Sequence, residues 1–252
     1  MRFYFCLLCL AFALPLDATP IRICYEQSEM LPYARGEGPE VPADPGVIPA
    51  LLKQAGADAR LDLVLYRRPW KRCLLDLEQG RAEGVFPLIW TAEREQWAAF
   101  PRLATGELDP RRYLWEGVYS IFVRHGTTLQ WDGERFSQIK NGVAAPSGYV
   151  AQQTLNRLGV QGPQHLEVEK GLWLVAMDRL DGYVIDRHIG EHLIRKYGLN
   201  DSLTTLPLPL MSSKWYLALS RSFVSGHPDN AQALWNALEK VRLEQTATVT
   251  TR

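Results

Sequence analysis

The sequence has no charge of one sign to spare: 28 Lys and Arg are matched by 28 Asp and Glu, for a formal net charge of +0. Nucleic-acid binding rests on phosphate neutralisation by clustered Lys and Arg, so this balance leaves that class without an electrostatic basis. One local cluster, Arg67-Arg68-Pro69-Trp70-Lys71-Arg72, reads instead as the solvated first turn of a helix. Long apolar runs are missing beyond the N-terminus, where no stretch approaches the ~20 residues that a spanning helix needs. Two chemical absences matter as well. There is no glycine-rich phosphate loop, and Ser212-Ser213-Lys214 lacks the S-x-x-K spacing, so no nucleophile and base constellation emerges. Cysteines number only 4, and Cys6 and Cys9 fall in the N-terminal apolar segment.

That segment is the first positive feature. Met1-Arg2 supplies a short basic start, an almost unbroken apolar run covers 3–14, and small residues follow at Ala18 and Thr19. This pattern predicts a secretory signal over 1–18, cut after Ala18, with Ala11-Phe12-Ala13 fitting an A-x-A cleavage pattern as well, and an exported soluble product. Bulky Phe5 and Leu8 precede Cys6 and Cys9 where a lipoprotein box wants small residues. Cleavage leaves Cys24 and Cys73. An oxidising compartment admits a disulfide between them, and two buried thiols fit the same residues, since sequence carries no Cα separation.

Apolar periodicity lays out the rest of the chain. Ile21, Ile23 and Tyr25 alternate as a strand, a loop rich in Gly and Pro covers 32–46, and Val47, Ile48, Leu51, Leu52 and Ala55 recur at helical spacing. A second strand is expected over 61–66. Trp70, Cys73, Leu74 and Leu77 then form the apolar face of a helix that Gly80 terminates. This alternation is the grammar of a parallel α/β sheet. It lapses into a loop over 100–116 and resumes with strands at 119–123 and 142–145, helices at 150–158 and 172–180, a strand at 183–185 and a helix at 187–197. A last strand over 215–220 and a helix from about Pro228 would bury too little surface alone. The chain is therefore expected to cross back, giving one lobe from 19–115 plus 208–252, a second from 116–207, and a cleft between them.

Two segments echo each other. Gly80-Arg81-Ala82-Glu83-Gly84-Val85-Phe86 is answered by Asp178-Arg179-Leu180-Asp181-Gly182-Tyr183-Val184, each after a helical run and each opening a strand. The first leads into Thr91-Ala92-Glu93-Arg94 and the second ends on Asp186, so each unit places one charge, of opposite sign, just past a strand. Together with Pro69-Trp70-Lys71-Arg72, Phe100, Trp131-Asp132-Gly133 and Ala145-Pro146-Ser147-Gly148-Tyr149, this ordered set resembles the family 3 extracellular solute-binding proteins. Those are the periplasmic receptors of polar amino-acid ABC transporters, and the likeness covers almost all of the chain after residue 18.

The resemblance implies an α/β, two-lobed periplasmic-binding-protein fold of type II with a two-strand hinge, closing like a flytrap on a small amino-acid-like molecule. It places the ligand α-carboxylate on Arg94 and the α-ammonium on Asp186, with backbone N–H groups of Ser147, Gly148 and Tyr149 assisting. Trp70 and the loop containing Tyr33 become pocket walls. It further implies a monomer without catalysis or cofactor, partnered by an ABC permease; a dehydratase-like enzyme or a sensory receptor on the same scaffold are the other readings. The sequence departs from the pattern at 86–89, where Phe-Pro-Leu-Ile replaces small hydroxyl residues and Pro87 has no N–H to give. Tyr149 and Val150 likewise replace the usual threonine.

The residue chemistry has plainer readings beside these. Arginine offers a carboxylate a rigid fork of donors, yet Arg94 beside Glu93 and Glu95 also suits a solvated surface helix. Asp186 stands where a helix N-cap is expected, and one carboxylate can both cap and bind. Trp90 joins Trp70, Tyr33 and Tyr149 as a candidate aromatic wall, and Glu26 is either a solvated strand end or a negative group for a cation. His188-Ile189-Gly190-Glu191-His192 matches the H-x-x-E-H zinc signature. Gly190 and the lack of a third ligand argue against zinc, and the resemblance puts this segment on the outside of the second lobe.

Overall fold

The computed structural model describes residues 19–250, with side chains described through 245; the expected signal segment lies outside the described residues. Eleven strands and seven helices follow in order: β1 (Ile21–Glu26), α1 (Val47–Asp58), β2 (Leu63–Arg68), α2 (Trp70–Glu78), β3 (Gly84–Ile89), β4 (Ala98–Ala99), β5 (Trp115–Arg124), β6 (Gln130–Trp131), β7 (Phe136–Ser137), β8 (Val143–Ala144), α3 (Val150–Arg157), α4 (Val168–Ala176), β9 (Gly182–Asp186), α5 (Arg187–Lys196), β10 (Leu203–Thr205), β11 (Met211–Ser220), α6 (Arg221–Gly226) and α7 (Pro228–Thr250). The main sheet runs β2-β1-β3-β11-β5-β9-β8, with β10 added to β5 and β4 to β11.

Two lobes hang on one sheet. β1 pairs in parallel with β2 and β3 in the first, and β8 with β9 in the second. The strands β5 and β11 are antiparallel to each other from Trp115↔Trp215 to Tyr119↔Met211. Beyond that ladder β11 continues along β3, and β5 continues along β9. α7 packs on α1, so the end of the chain completes the first lobe.

The echoed acids have a structural use. Glu83 accepts a hydrogen bond from the backbone N–H of Arg22 at 2.8 Å, at the start of β1. Asp181 accepts from Lys140, Asn141 and Gly142 N–H at 2.7, 2.7 and 2.9 Å, just ahead of β8. In each unit the acid therefore ties the incoming strand to its parallel neighbour, and the following glycine, Gly84 or Gly182, pairs with Ile23 or Val143.

Several boundaries differ from expectation. β2 begins at Leu63 rather than 61 and extends to Arg68, because register with β1 runs from Ile21↔Leu63 to Glu26↔Arg68 and Pro69 then stops it. Arg67 is thus a strand residue and not a solvated helical one. Its buried guanidinium donates to the carbonyls of Glu26, Gln27, Gly36 and Glu40, pinning the loop after β1. The helix expected over 172–180 is α4, four residues earlier. Its buried stripe is Val168, Gly171, Leu172 and Val175, and Asp178 in the left-handed region (φ 59°) follows its end. Gly171 is obligatory there: a Cβ would lie 2.1 Å from the Tyr183 ring.

Cys24 and Cys73 form a disulfide with Cα atoms 5.5 Å apart, joining β1 to α2 across 49 residues of sequence. Closing a loop of that length is worth about 4 kcal/mol in the chain-entropy picture. We expect the double replacement Cys24→Ala with Cys73→Ala to lower unfolding stability by about 2–4 kcal/mol in urea titrations; an unchanged midpoint would show that the bridge contributes nothing.

Candidate functional site

The cleft between the lobes is lined by charged groups at its floor. Arg94 opens a 3-10 turn, Arg94–Gln96, just after β3, and its side chain turns inward rather than to solvent. Only 4% of the residue is exposed. Two of the guanidinium's five N–H groups are used by carbonyls, Ile89 at 2.9 Å in its own lobe and Gly148 at 2.8 Å in the other. Among the described residues no carboxylate forms an ion pair with it, and burial lowers its pKa to about 10. Glu95, expected as a solvent partner, instead accepts from Trp90 Nε1 and pairs with Arg102.

Asp186 ends β9 and is 1% exposed. One carboxylate oxygen caps α5 by accepting from His188 N–H at 3.0 Å and Ile189 N–H at 3.3 Å, while the other accepts from Val118 N–H at 3.2 Å on β5. Burial raises its pKa, and the Ile189 N–H, the Tyr33 hydroxyl and His188 work against that rise. Tyr119, directly opposite Asp186 in the β5–β9 register, shares the cleft wall with Arg94, Asp186 and Trp215. Its hydroxyl accepts from Trp215 Nε1 at 3.1 Å.

Glu26, at the end of β1, is the third buried charge of the cleft and is 6% exposed. Its carboxylate accepts from Gln27 N–H at 2.8 Å, from Ser28 N–H at 3.2 Å and from the N–H of Trp70 in the first turn of α2. Burial pushes its pKa up to about 7, with the Glu167 charge adding to the rise and the backbone donors opposing it. Near Arg94, Asp186 and Tyr119 the room for water centres is only about 30 Å³, enough for about two waters. A second chamber of about 360 Å³ adjoins it, sharing Glu26, Trp70 and Tyr149 and reaching the rim at Lys71, His165 and Glu167.

Polar contacts hold the lobes together around this cleft. Besides Arg94 on Gly148, Gln153 Nε2 donates to Glu93 at 3.1 Å, Lys71 Nζ meets His165 Nδ1 at 3.3 Å, and Glu29 takes Lys196 at 3.5 Å. His192 lies 3.8 Å from Glu29, and His188 packs edge-on to Tyr33. The H-x-x-E-H face of α5 is thus turned toward the first lobe, not outward as the resemblance implies.

The other expected residues divide. Trp70 and Tyr149 face each other across the cleft, 6.3 Å apart in an edge arrangement. Ser147 lines the second chamber with its hydroxyl buried and unpartnered. Tyr33 lies outside both chamber linings; its buried hydroxyl is close enough to the Asp186 carboxylate to oppose the rise in that group's pKa, although it falls short of full hydrogen-bond geometry. Trp90 also lies outside both. The three N–H groups expected to reach a carboxylate are already engaged: Ser147 donates to Leu166 O at 3.2 Å, Gly148 to Gln152 Oε1 at 3.0 Å and Tyr149 to Pro146 O at 3.2 Å. Tyr119 and Trp215 were not anticipated. Their only signal is position, since both lie on the strands expected to cross between lobes.

No family model matches this sequence, and no curated protein does either. Solved structures do match in shape. A histidine kinase sensor domain with similarity to periplasmic binding proteins superposes with a TM-score of 0.71, at 15% identity, over 91% of this chain and 93% of its own. The GluR0 ligand-binding core from Nostoc punctiforme, in complex with L-glutamate, gives 0.68 at 14% identity over 91% and 96%. ArtJ, an arginine-, lysine- and histidine-binding protein from Geobacillus stearothermophilus, gives 0.68 at 14% identity over 90% and 91%. The fold is that of the periplasmic binding proteins. At such identities the likeness covers the fold alone, and within this binding-protein fold the cleft is where Arg94, Asp186 and Glu26 converge.

Glu26 predicts a pH dependence. Because folding raises its pKa, its contribution to stability is full below about 4.5 and is lost as pH rises through about 7. Glu26→Gln removes the titration, so the stability of the variant minus that of the parent should grow by about 3 kcal/mol between pH 4.5 and pH 8. Urea unfolding at both pH values measures this. A difference that stays constant with pH would contradict the assignment.

Proposed function

We propose that the protein is an exported receptor for a small zwitterion, of the kind formed by the family 3 extracellular solute-binding proteins, with lobes divided as 19–115 plus 208–252 and 116–207. The observation that carries this reading is that Arg94 from one lobe and Asp186 from the other are buried in one cleft without neutralising each other by a direct ion pair. A carboxylate on Arg94 and an ammonium on Asp186 would complete both, and burial makes such contacts strong. The space beside them is too small for an amino acid, so capture requires the lobes to part and close again about β5 and β11. That neighbours of similar shape are described as amino-acid binders supports the ligand class.

With the Ser147, Gly148 and Tyr149 N–H groups engaged and Pro87 lacking one, Arg94 is the principal anion site. Trp70 and Tyr149 serve as walls and Tyr33 as a support behind Asp186. The role is capture without turnover, with delivery to an ABC permease. Sensing is the second reading, favoured by the likeness to a histidine kinase sensor domain. The two differ in the partner of the closed form.

A thermal-shift screen of amino acids identifies the ligand, because only a molecule that prefers the folded form raises the melting point. Arg94→Ala should then weaken calorimetric binding of that ligand by about 100-fold or more, with an unchanged circular dichroism spectrum. Retained affinity in a folded variant would refute the reading.

A further inference from the structure

The floor of the cleft carries a buried donor with no use assigned so far. Tyr119 is 4% exposed and lines the narrow space beside Arg94, Asp186 and Trp215. Its hydroxyl accepts from Trp215 Nε1 at 3.1 Å, and among the described residues it donates to no group. A phenolic oxygen has one proton, and an N–H arriving on one side leaves the other side for it. The indole therefore fixes the direction in which Tyr119 donates. Burial, then the Asp186 charge, pushes the phenol's pKa up against the Trp215 bond and Arg94, so the proton is in place at neutral pH.

The neighbours leave that proton for a ligand. Asp186 stands opposite Tyr119 in the β5–β9 register, yet its carboxylate takes the N–H groups of Val118, His188 and Ile189. Other donors are lacking at this corner. Positions 86–89 carry no hydroxyl, Pro87 has no N–H, and those of Ser147, Gly148 and Tyr149 are engaged. Tyr149 is the other phenol of the space, and the charge that acts on it most is Glu26, not Arg94. Arg94 and Tyr119, by contrast, are close enough for the charge of each to act on the other. A buried hydroxyl that spends no donor costs stability unless a bound partner takes it.

We infer that Tyr119 is a specificity-determining partner of Arg94: its hydroxyl, aimed by the Trp215 indole, donates a second hydrogen bond to the ligand carboxylate. This rests on the zwitterion reading and narrows its ligand class. A carboxylate only accepts, so it satisfies guanidinium and phenol together. A carboxamide in the same place turns an N–H₂ group toward groups that also donate, and one donor stays buried and unpaired. Free amino acids are thereby selected over their α-amides. Because Tyr119 and Trp215 stand on β5 and β11, the strands that join the lobes, the same contact ties the ligand directly to the hinge.

The test uses L-arginine, L-glutamate and L-alanine, each beside its own α-amide, in titration calorimetry at about pH 6, where the amines of acid and amide are both protonated. In the parent protein at least one acid should bind about 100-fold tighter than its amide. Tyr119→Phe keeps the ring and should weaken that acid by about tenfold or more while moving the amide by about twofold or less, with an unchanged circular dichroism spectrum. Trp215→Phe leaves the hydroxyl in place but unaimed, so it should lose part of the same preference, and it carries the test if Tyr119→Phe does not fold. An acid-over-amide preference unmoved by either variant, an equal loss for acid and amide, or failure of all three acids to bind would overturn the inference. Arg94→Ala reports on the zwitterion reading separately: loss of binding there, with the full preference kept in Tyr119→Phe, would sink this proposal alone.

Discussion

The short antiparallel ladder between β5 and β11 is the constraint on which the rest of the molecule depends. Five paired positions, from Trp115↔Trp215 to Tyr119↔Met211, join two lobes whose other strands, among the described residues, do not pair with each other. Each strand is shared: β11 passes on to β3 and β5 passes on to β9. The ladder also builds the floor of the cleft. Tyr119 and Trp215 stand on it, and Val118 N–H reaches the Asp186 carboxylate from it. Gly117 makes room for this, since a Cβ there would come within 2.6 Å of the Trp215 ring. A bend of the ladder, as the proposed capture requires, would therefore move the lobes and the cleft residues together.

Burial of three charges in one cleft would be costly if each were bare, and the structure offsets the cost with backbone dipoles. Carbonyls of Ile89 and Gly148 accept from Arg94, whereas N–H groups at helix starts donate to Glu26 and Asp186. The compensation is partial. Arginine is pushed down and both acids are pushed up, which means that water lost on burial is not fully replaced. Groups in this condition gain more from a charged partner than surface groups do.

Much of this architecture was legible in the chain. The echo of Glu83-Gly84 and Asp181-Gly182 marked two equivalent units, and the structure gives the reason: each acid holds the N–H groups that open a parallel neighbour. Helix α4 was misplaced because its buried stripe includes Gly171, whose missing side chain is itself the packing feature and leaves no apolar mark. Arg67 was misread since a charged residue in a basic run looks solvated, and only the fold shows four carbonyls converging on it. At the site, local patterns located Arg94, Asp186 and Trp70. They could not tell that Tyr33 stands behind the cleft while Glu26 lines it, because both follow from how the loop after β1 is pinned.

The contact between Arg94 and Gly148 bears on how such a cleft discriminates. With no free N–H group at Ser147, Gly148 or Tyr149, the charged part of the proposed anion recognition would fall on one guanidinium, and that guanidinium already spends a donor on the opposite lobe. A carbonyl accepts a weaker bond than a carboxylate does, by roughly a factor of two. Exchange of Gly148 O for a ligand carboxylate is therefore favourable, but only by the difference between the two bonds. The self-contact steadies the closed arrangement and at the same time sets a threshold that an incoming anion must exceed. Neutral acceptors cannot exceed it. On the proposed reading, selectivity for charge at Arg94 would arise from an internal competitor as well as from the arginine itself.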